Sequence, residues 1–265
     1  QKLARVMSLQ ITFTGKNSQI GEYIKGDYNF VSYDLMSPDT WKPLLDSDIV
    51  FLLLPKTKDT LEMAKKFTVS AMDSNIKQIV KIGSLGPWRL VHNQIDKFIL
   101  ESGIAYTSFD IAPLMNNIFT EQYIKEDKTL LDYRDNAPAP YLDPVCLASA
   151  IEQSFGKVQH YNKNYKCTGE MQYTITDIKD ILIQKGYPVQ DIKNTTNNKL
   201  HKLTDSNPDS VMMDHIGNRY KTEGWFPLIS DDLKNSFQLE GRSFEQFITD
   251  DQHIFEQRLE NDNCL

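Results

Sequence analysis

Five short apolar runs, each closed by turn residues and separated by stretches of helical period, occupy the first half of this chain, at 9–14, 30–34, 49–54, 78–82 and 105–109. Val, Ile, Phe and Leu fill them without the polar alternation of a half-solvated strand, so both faces of each have to be covered. The intervening segments carry the helical signal. Leu61, Ala64, Phe67, Thr68, Ala71 and Met72 recur near a 3.6 period within 57–74, and Val91, Ile95, Phe98 and Ile99 share one face of 90–102, which Gly103 stops. Ser37, Pro38 and Asp39 ahead of Trp41 read as a cap followed by Pro at the first helical position. Strands and helices in this order build a parallel sheet flanked by helices, because a parallel connection needs a helix's length of chain to return.

Beyond residue 117 the pattern weakens. The segment 141–155 reads as a strand end followed by a helix through Leu147, Ile151 and Phe155, and 174–186 as a second helix capped by Thr174 or Thr176. The stretch 194–209 is polar and loop-like, and 243–259 is a last helix with Phe244, Phe247, Ile248 and Phe255 as its stripe. Nothing in the sequence reads as a linker between independent domains.

Several function classes are disfavoured by composition. The net charge is −7 and the sequence pI about 5.3, without any run of Lys and Arg, whereas a nucleic-acid surface needs a basic patch to neutralise phosphates. The longest apolar run, 49–55, is far too short to cross a bilayer, and no membrane role is expected. Cys146, Cys167 and Cys264 are scattered and odd in number, which suits neither a disulfide framework nor a zinc site and fits a reducing cytoplasm. Met7 is a candidate native start, with 1–6 a leftover ahead of it; no cleavable signal pattern is visible.

The first strand runs into Gly15-Lys16-Asn17-Ser18-Gln19-Ile20-Gly21, two glycines six apart opening the first helix. Such a turn lets the backbone approach a pyrophosphate seated on a helix N-terminus. A tight strand-to-helix turn is the plainer alternative. Ser18 adds a Cβ where the backbone has to lie closest to phosphate, and Lys16 adds a compensating charge. Asp34 ends the second strand nineteen positions after Gly15, about where a ribose-binding acid belongs. A carboxylate there favours NAD over NADP, since it repels a 2′-phosphate. The expected architecture is a Rossmann-type parallel sheet over 1–155, with a smaller α/β C-terminal region, 156–265, packed on its substrate side.

Several segments together resemble the NmrA-like branch of the atypical short-chain dehydrogenases/reductases, whose relatives include quinone-oxidoreductase-like and ergot-alkaloid-reductase-like enzymes. The glycine frame is similar to the family's GATGxxG. Phe30-Val31-Ser32-Tyr33-Asp34-Leu35, then Trp41 and the run from Asp48 to Pro55, look like one family stretch, and Ile79 to Ser84 like its next strand. His92 through Thr107 and Gly241 through Ile248 match two further segments, so the likeness spans nearly the whole chain. There are also departures. Ser18 replaces the middle glycine, an insert common before the Tyr-Asp-Leu segment is missing, and Asp110 and Ile111 stand where the family has Arg and Pro, although Asn117 is kept. The Tyr-x-x-x-Lys pair of ordinary short-chain dehydrogenases is absent from the corresponding helix.

The resemblance implies a nicotinamide cofactor, NAD or NADP, held by Gly15, Lys16, Ser18, Gly21, Asp34, Leu54 and Pro55, with binding that the substitutions weaken or abolish. His92 opens the helix after the Ser84 strand, at the end of the sheet where α/β ligands bind, and is the candidate proton donor or orienting group. Ser84 is a candidate partner for a substrate carbonyl or the nicotinamide ribose, with a turn serine as the alternative. In isoflavone-reductase-like members a Lys occupies the position matched by His92. Trp88, Met115, Asn117, Tyr141 and Trp225 are candidates for an apolar substrate pocket, with simple core packing as the alternative for each. His160, His201, His215 and His253 read as surface residues, and Asp132, Asp135 and Asp143 as solvated charge. Three functions remain open: an NAD(P)-dependent reductase of a small apolar metabolite such as a quinone, imine or enone; a non-catalytic dinucleotide-binding sensor with a protein partner; or a non-redox cyclase or isomerase on a degenerate cofactor site. The expected partners are a small-molecule substrate and a protein partner or second copy.

Overall fold

The computed structural model describes residues 12–15, 29–32, 34, 36–54, 57, 59–86, 89–124, 127–132, 134–194 and 229–251. Along the chain these form β1 (Thr12–Gly15), β2 (Asn29–Ser32), α1 (Lys42–Leu45), β3 (Ile49–Leu52), α2 (Thr60–Met72), β4 (Gln78–Ser84), α3 (Arg89–Glu101) and β5 (Ala105–Ile111). They continue with β6 (Tyr123–Ile124), β7 (Thr129–Asp132), α4 (Pro144–Ser154), β8 (Lys163–Cys167), α5 (Ile175–Gln184), β9 (Asp191–Asn194), α6 (Asp232–Phe237) and α7 (Phe244–Asp250). The chain divides into two compact units, one of Gln1–Gly83, Trp88–Phe109 and Ala148–Tyr165, the other of Ser84–Pro87, Asp110–Leu147 and Lys166–Leu265. Each unit therefore draws on residues from both sides of position 155.

In the first unit β1 and β2 pair in parallel, with Gly15 opposite Ser32. The larger sheet has the order β3-β4-β5-β8, and β3 runs parallel to β4 with Ile49 opposite Gln78. The parallel sheet flanked by helices, expected from the strand–helix alternation, is the architecture of this chain. Its core gathers Val50 and Leu52 of β3, Phe67 of α2, Ile79 of β4, and Ile95 and Ile99 of α3. Trp41 meets Phe67 edge to face at 5.5 Å, and full burial of a side chain such as Phe67 contributes about 2 kcal/mol. Helix α3 ends where the glycine was expected to stop it, with Gly103 at φ 81°.

The second unit holds a three-stranded sheet of order β6-β7-β9, in which β7 is antiparallel to β6 and parallel to β9. None of these short strands, nor β8, stands out in the sequence, because β6 and β7 carry too few periods of alternation and Lys and Asn interrupt β8 and β9. Thr174 and Ser243 each form a capping box, with Asp177 and Gln246, and so fix the starts of α5 and α7. Of the helix expected over 243–259, Phe244–Asp250 forms, with Asp251 as its C-cap, and 252–259, like 195–209, lie outside the described residues. Tyr141, Tyr173, Phe244, Phe247 and the apolar face of α5 make up the core.

Three expectations are corrected. His160 is buried rather than superficial: its Nδ1 lies 2.8 Å from the Tyr165 hydroxyl, and burial lowers its pKa. Asp132 is buried because its carboxylate accepts the backbone N–H groups of Arg134 and Asn136 at 2.8 and 2.6 Å and so shapes the turn after β7. Asp143 is buried because Arg242 grips it through two nitrogens, at 2.8 and 3.0 Å. Asp135 is exposed, as expected. His201, His215 and His253 lie outside the described residues.

Gly169 marks the tightest backbone approach in the second unit. Its N–H donates to Pro140 O at 3.1 Å, and a Cβ there would collide with the Tyr141 carbonyl, which a side-chain shift cannot relieve. Gly169→Ala is expected to cost about 3 kcal/mol, by overpacking against rigid backbone. Equilibrium denaturation checks this: the midpoint falls markedly, whereas an unchanged midpoint contradicts the close approach.

Candidate functional site

Strand β4 is the spine of the first unit, and its two faces carry different chemistry. On one face Gln78 is fully buried and its amide is satisfied: Nε2 donates to Thr107 Oγ1 and Ser154 O at 3.0 and 3.1 Å, and Oε1 accepts from Gly156 N at 2.8 Å. Thr107 Oγ1 donates in turn to His160 O at 2.8 Å. These bonds tie β4 and β5 to the end of α4 and leave that face closed.

On the face that carries Ile79, Lys81 is wholly buried and its ammonium lies 3.0 Å from the Asp96 carboxylate, whose side chain is 8% exposed. Ser108 of β5 and Asn164 of β8 donate to the other oxygen of Asp96 at 3.4 and 3.3 Å. A single carboxylate on α3 thereby gathers side chains from three adjacent strands. Burial pushes the Asp96 carboxyl above the usual carboxylate range, while the Lys81 charge and hydrogen bond and the Ser108 hydroxyl pull it back. Lys81 Nζ also lies 3.3 Å from Nδ1 of His92, which is buried in the first turn of α3. His92 is thus a described candidate site residue that lies inside a buried polar cluster. Lys81, Asp96, Ser108 and Asn164 were not singled out from the sequence. A signal for them exists: Lys81 is the lone charge inside an apolar strand, and Asp96 stands four residues after His92 between Ile95 and Ile99 of the buried stripe.

The other candidates are described in part. Gly15 closes β1, whereas Lys16, Ser18, Gly21, Pro55, Trp88 and Trp225 lie outside the described residues. Asp34 follows β2, half-buried, and its Oδ1 accepts from Met36 N at 2.8 Å. Its carbonyl accepts from Ser37 N and Trp41 Nε1, so the residue organises the turn that leads into α1. Leu54 belongs to the first core. Ser84 closes β4 in the second unit and accepts from Gly86 N at 3.0 Å, a turn serine's bond. Met115 and Tyr141 share the second core, where Arg134 donates to the Tyr141 hydroxyl at 2.6 Å and that hydroxyl lies 3.3 Å from Gln122 Oε1. Burial raises the Tyr141 pKa. Asn117 is half-buried at the start of a π-helical turn, Ile118–Gln122. Among the described residues no group of three or more His, Cys, Asp and Glu could hold a metal ion.

No protein-family model matches this sequence, and no curated protein matches it. Solved structures do. The NADPH-dependent quinone oxidoreductase QOR2 of Escherichia coli, complexed with NADPH, superposes with a TM-score of 0.72 over 96% of this chain and 93% of its own, at 14% identity. The triphenylmethane reductase of Citrobacter sp., complexed with NADP(H), gives 0.71 over 94% of this chain and 92% of its own, at 15% identity. NmrA, a negative transcriptional regulator, gives 0.67 over 96% and 90%, at 12% identity.

A buried pair is unforgiving of partial removal. Lys81→Met alone leaves the Asp96 charge buried without its cation and is expected to cost about 3–5 kcal/mol. Lys81→Met with Asp96→Asn removes both charges, keeps an amide for Ser108 and Asn164, and is expected to recover most of that loss. Urea denaturation of the two variants checks this; equal destabilisation contradicts the pairing. At these identities what the chain shares with its structural neighbours is the fold, the Rossmann-type fold that the glycine turn and the strand–helix alternation led us to expect.

Proposed function

We propose that this chain binds a nicotinamide dinucleotide and acts as an NAD(P)-dependent reductase of a small apolar metabolite such as a quinone, imine or enone. The observation that carries the reading is the likeness, over nearly the full length of both chains, to a quinone oxidoreductase solved with NADPH. The described part of the cofactor side fits such a ligand. Gly15 closes a strand that pairs in parallel with β2, the arrangement in which a following turn faces a pyrophosphate. Asp34 stands just past the end of β2, and a carboxylate has about four lone-pair positions, so its bond to Met36 N is compatible with a ribose diol. The carboxylate supports NAD, whereas the neighbours solved with NADPH and NADP(H) support the phosphorylated form. When bound, the dinucleotide supplies the hydride; the chain contributes binding, orientation and exclusion of water. No helix of the described residues is long and apolar enough to cross a membrane, and the reading places the protein in the cytoplasm with a small-molecule substrate.

Two observations favour a second reading, a dinucleotide-binding sensor. The fold is also that of a transcriptional regulator, and His92, the candidate acid, is buried beside an ammonium. Titration of NADH and NADPH into the purified chain separates the readings. Saturable binding is expected, with a rise in melting temperature that corresponds to about 2.7 kcal/mol at a hundredfold excess over Kd. Asp34→Ala is expected to weaken NADH at least tenfold and NADPH less. Oxidation of the bound cofactor by a quinone or imine supports the reductase, binding without oxidation supports the sensor, and no binding at millimolar cofactor overturns both.

A further inference from the structure

Met171 and Tyr173 stand two positions apart on the connection between β8 and α5, and their surroundings differ. Tyr173 is pinned. Its N–H donates to Ala139 O at 2.9 Å, its carbonyl accepts from Ala139 N at 3.0 Å, and its ring packs against Phe244 in the second core. Its hydroxyl oxygen accepts from Phe244 N at 3.1 Å, which fixes the place of that oxygen. Met171 is 54% exposed, yet its sulfur returns to the same hydroxyl at 3.6 Å, an ordinary O–H···S separation given the radius of sulfur. The hydroxyl proton has two acceptors there, Met171 Sδ and Glu245 Oε2 at 3.4 Å. Burial raises the Tyr173 pKa; the Phe244 N–H pulls it back and the Glu245 charge raises it again, so the hydroxyl keeps its proton at neutral pH.

We propose that Met171 is a site of oxidation by peroxides, and that the Tyr173 hydroxyl directs the incoming oxygen to the far side of its sulfur, so that one sulfoxide epimer predominates. A thioether sulfur has two lone pairs, and either can take the oxygen, which makes the product chiral. The Tyr173 oxygen occupies the approach to one of them, whichever acceptor holds its proton, and the exposure of the side chain opens the other. In the step the peroxide O–O bond breaks and one of its oxygens bonds to sulfur through the open lone pair. Sulfur is oxidised by two electrons as the peroxide is reduced, and water leaves from hydrogen peroxide or an alcohol from an organic peroxide. Exposure separates Met171 from Met63 and Met115, which lie within the two cores, and likens it to Met72 at the end of α2. The step involves neither the dinucleotide nor its substrate, so it stands apart from the reductase reading.

The test is methyl NMR of the full chain with ¹³C at the methionine methyl groups, followed during treatment with hydrogen peroxide. The Met171 signal is identified by its loss in Met171→Leu, and those of Met72 and Met115 in the same way. Met171 is expected to oxidise on the time scale of Met72 and well before Met115. Its sulfoxide is expected as one dominant methyl signal, in about fivefold excess over the other epimer, the bias that an ordinary neutral hydrogen bond gives. Tyr173→Phe removes the hydroxyl and keeps the ring, and is expected to bring the two epimers to comparable amounts. A Met171 signal that persists as long as that of Met115 overturns the proposal, as do equal epimers in wild type or an unchanged ratio in Tyr173→Phe. The wild-type rate and epimer ratio decide the point if the variant does not fold.

Discussion

A charge placed in the dry layer between a sheet and the helix that covers it has to be matched within that layer, because water cannot reach it. In this chain Lys81 is such a charge, and the requirement governs much of what surrounds it. Asp96 has to lie one turn beyond His92 on α3, the remaining acceptor capacity of its carboxylate has to be met by Ser108 and Asn164, and α3 has to sit where all of these distances close. The apolar contacts of Ile79, Ile95 and Ile99 hold the same helix against the same strands. Hydrophobic burial supplies most of the stabilisation, while the polar cluster demands one geometry of helix on sheet.

The opposite face of β4 follows the same rule with neutral groups. Gln78 is buried as deeply as Lys81, and its amide finds partners in Thr107, Ser154 and Gly156. Between them the two faces bring β4, β5, β8, α3 and α4 into one hydrogen-bonded frame. The sequence separations involved, 68 positions for Asn164 with Asp96 and 76 for Gln78 with Ser154, show that such a frame forms only when the sheet does.

How much of this was legible in the sequence depended on the physics of each element. Long helices with a clear apolar stripe, α2, α3 and α5, were read close to their limits, since 3.6-residue periodicity, Gly103, Gly186 and the Thr174 cap are local signals. The strands β6 to β9 were not, because β6 and β7 are only two and four residues long and Lys and Asn interrupt β8 and β9. Asp132 and Asp143 read as solvated for a related reason: what buries them is a turn's backbone N–H groups in one case and Arg242, 99 positions away, in the other. At the candidate site the sequence pointed to His92 but not to the groups that constrain it. Lys81 was not singled out, although it is a lone charge within an apolar strand; its partner could be named only once β4 and α3 were packed together.

The claim that the Lys81–Asp96 pair fixes α3 on the sheet is tested most directly by native-state hydrogen exchange in wild type and Lys81→Met. With the anion left uncompensated, amides of β4, β5, β8 and the first two turns of α3 are predicted to lose protection together and by similar free energies, while α5 and α7 in the second unit keep theirs. Loss confined to the first turn of α3, or spread evenly over both units, would contradict the account.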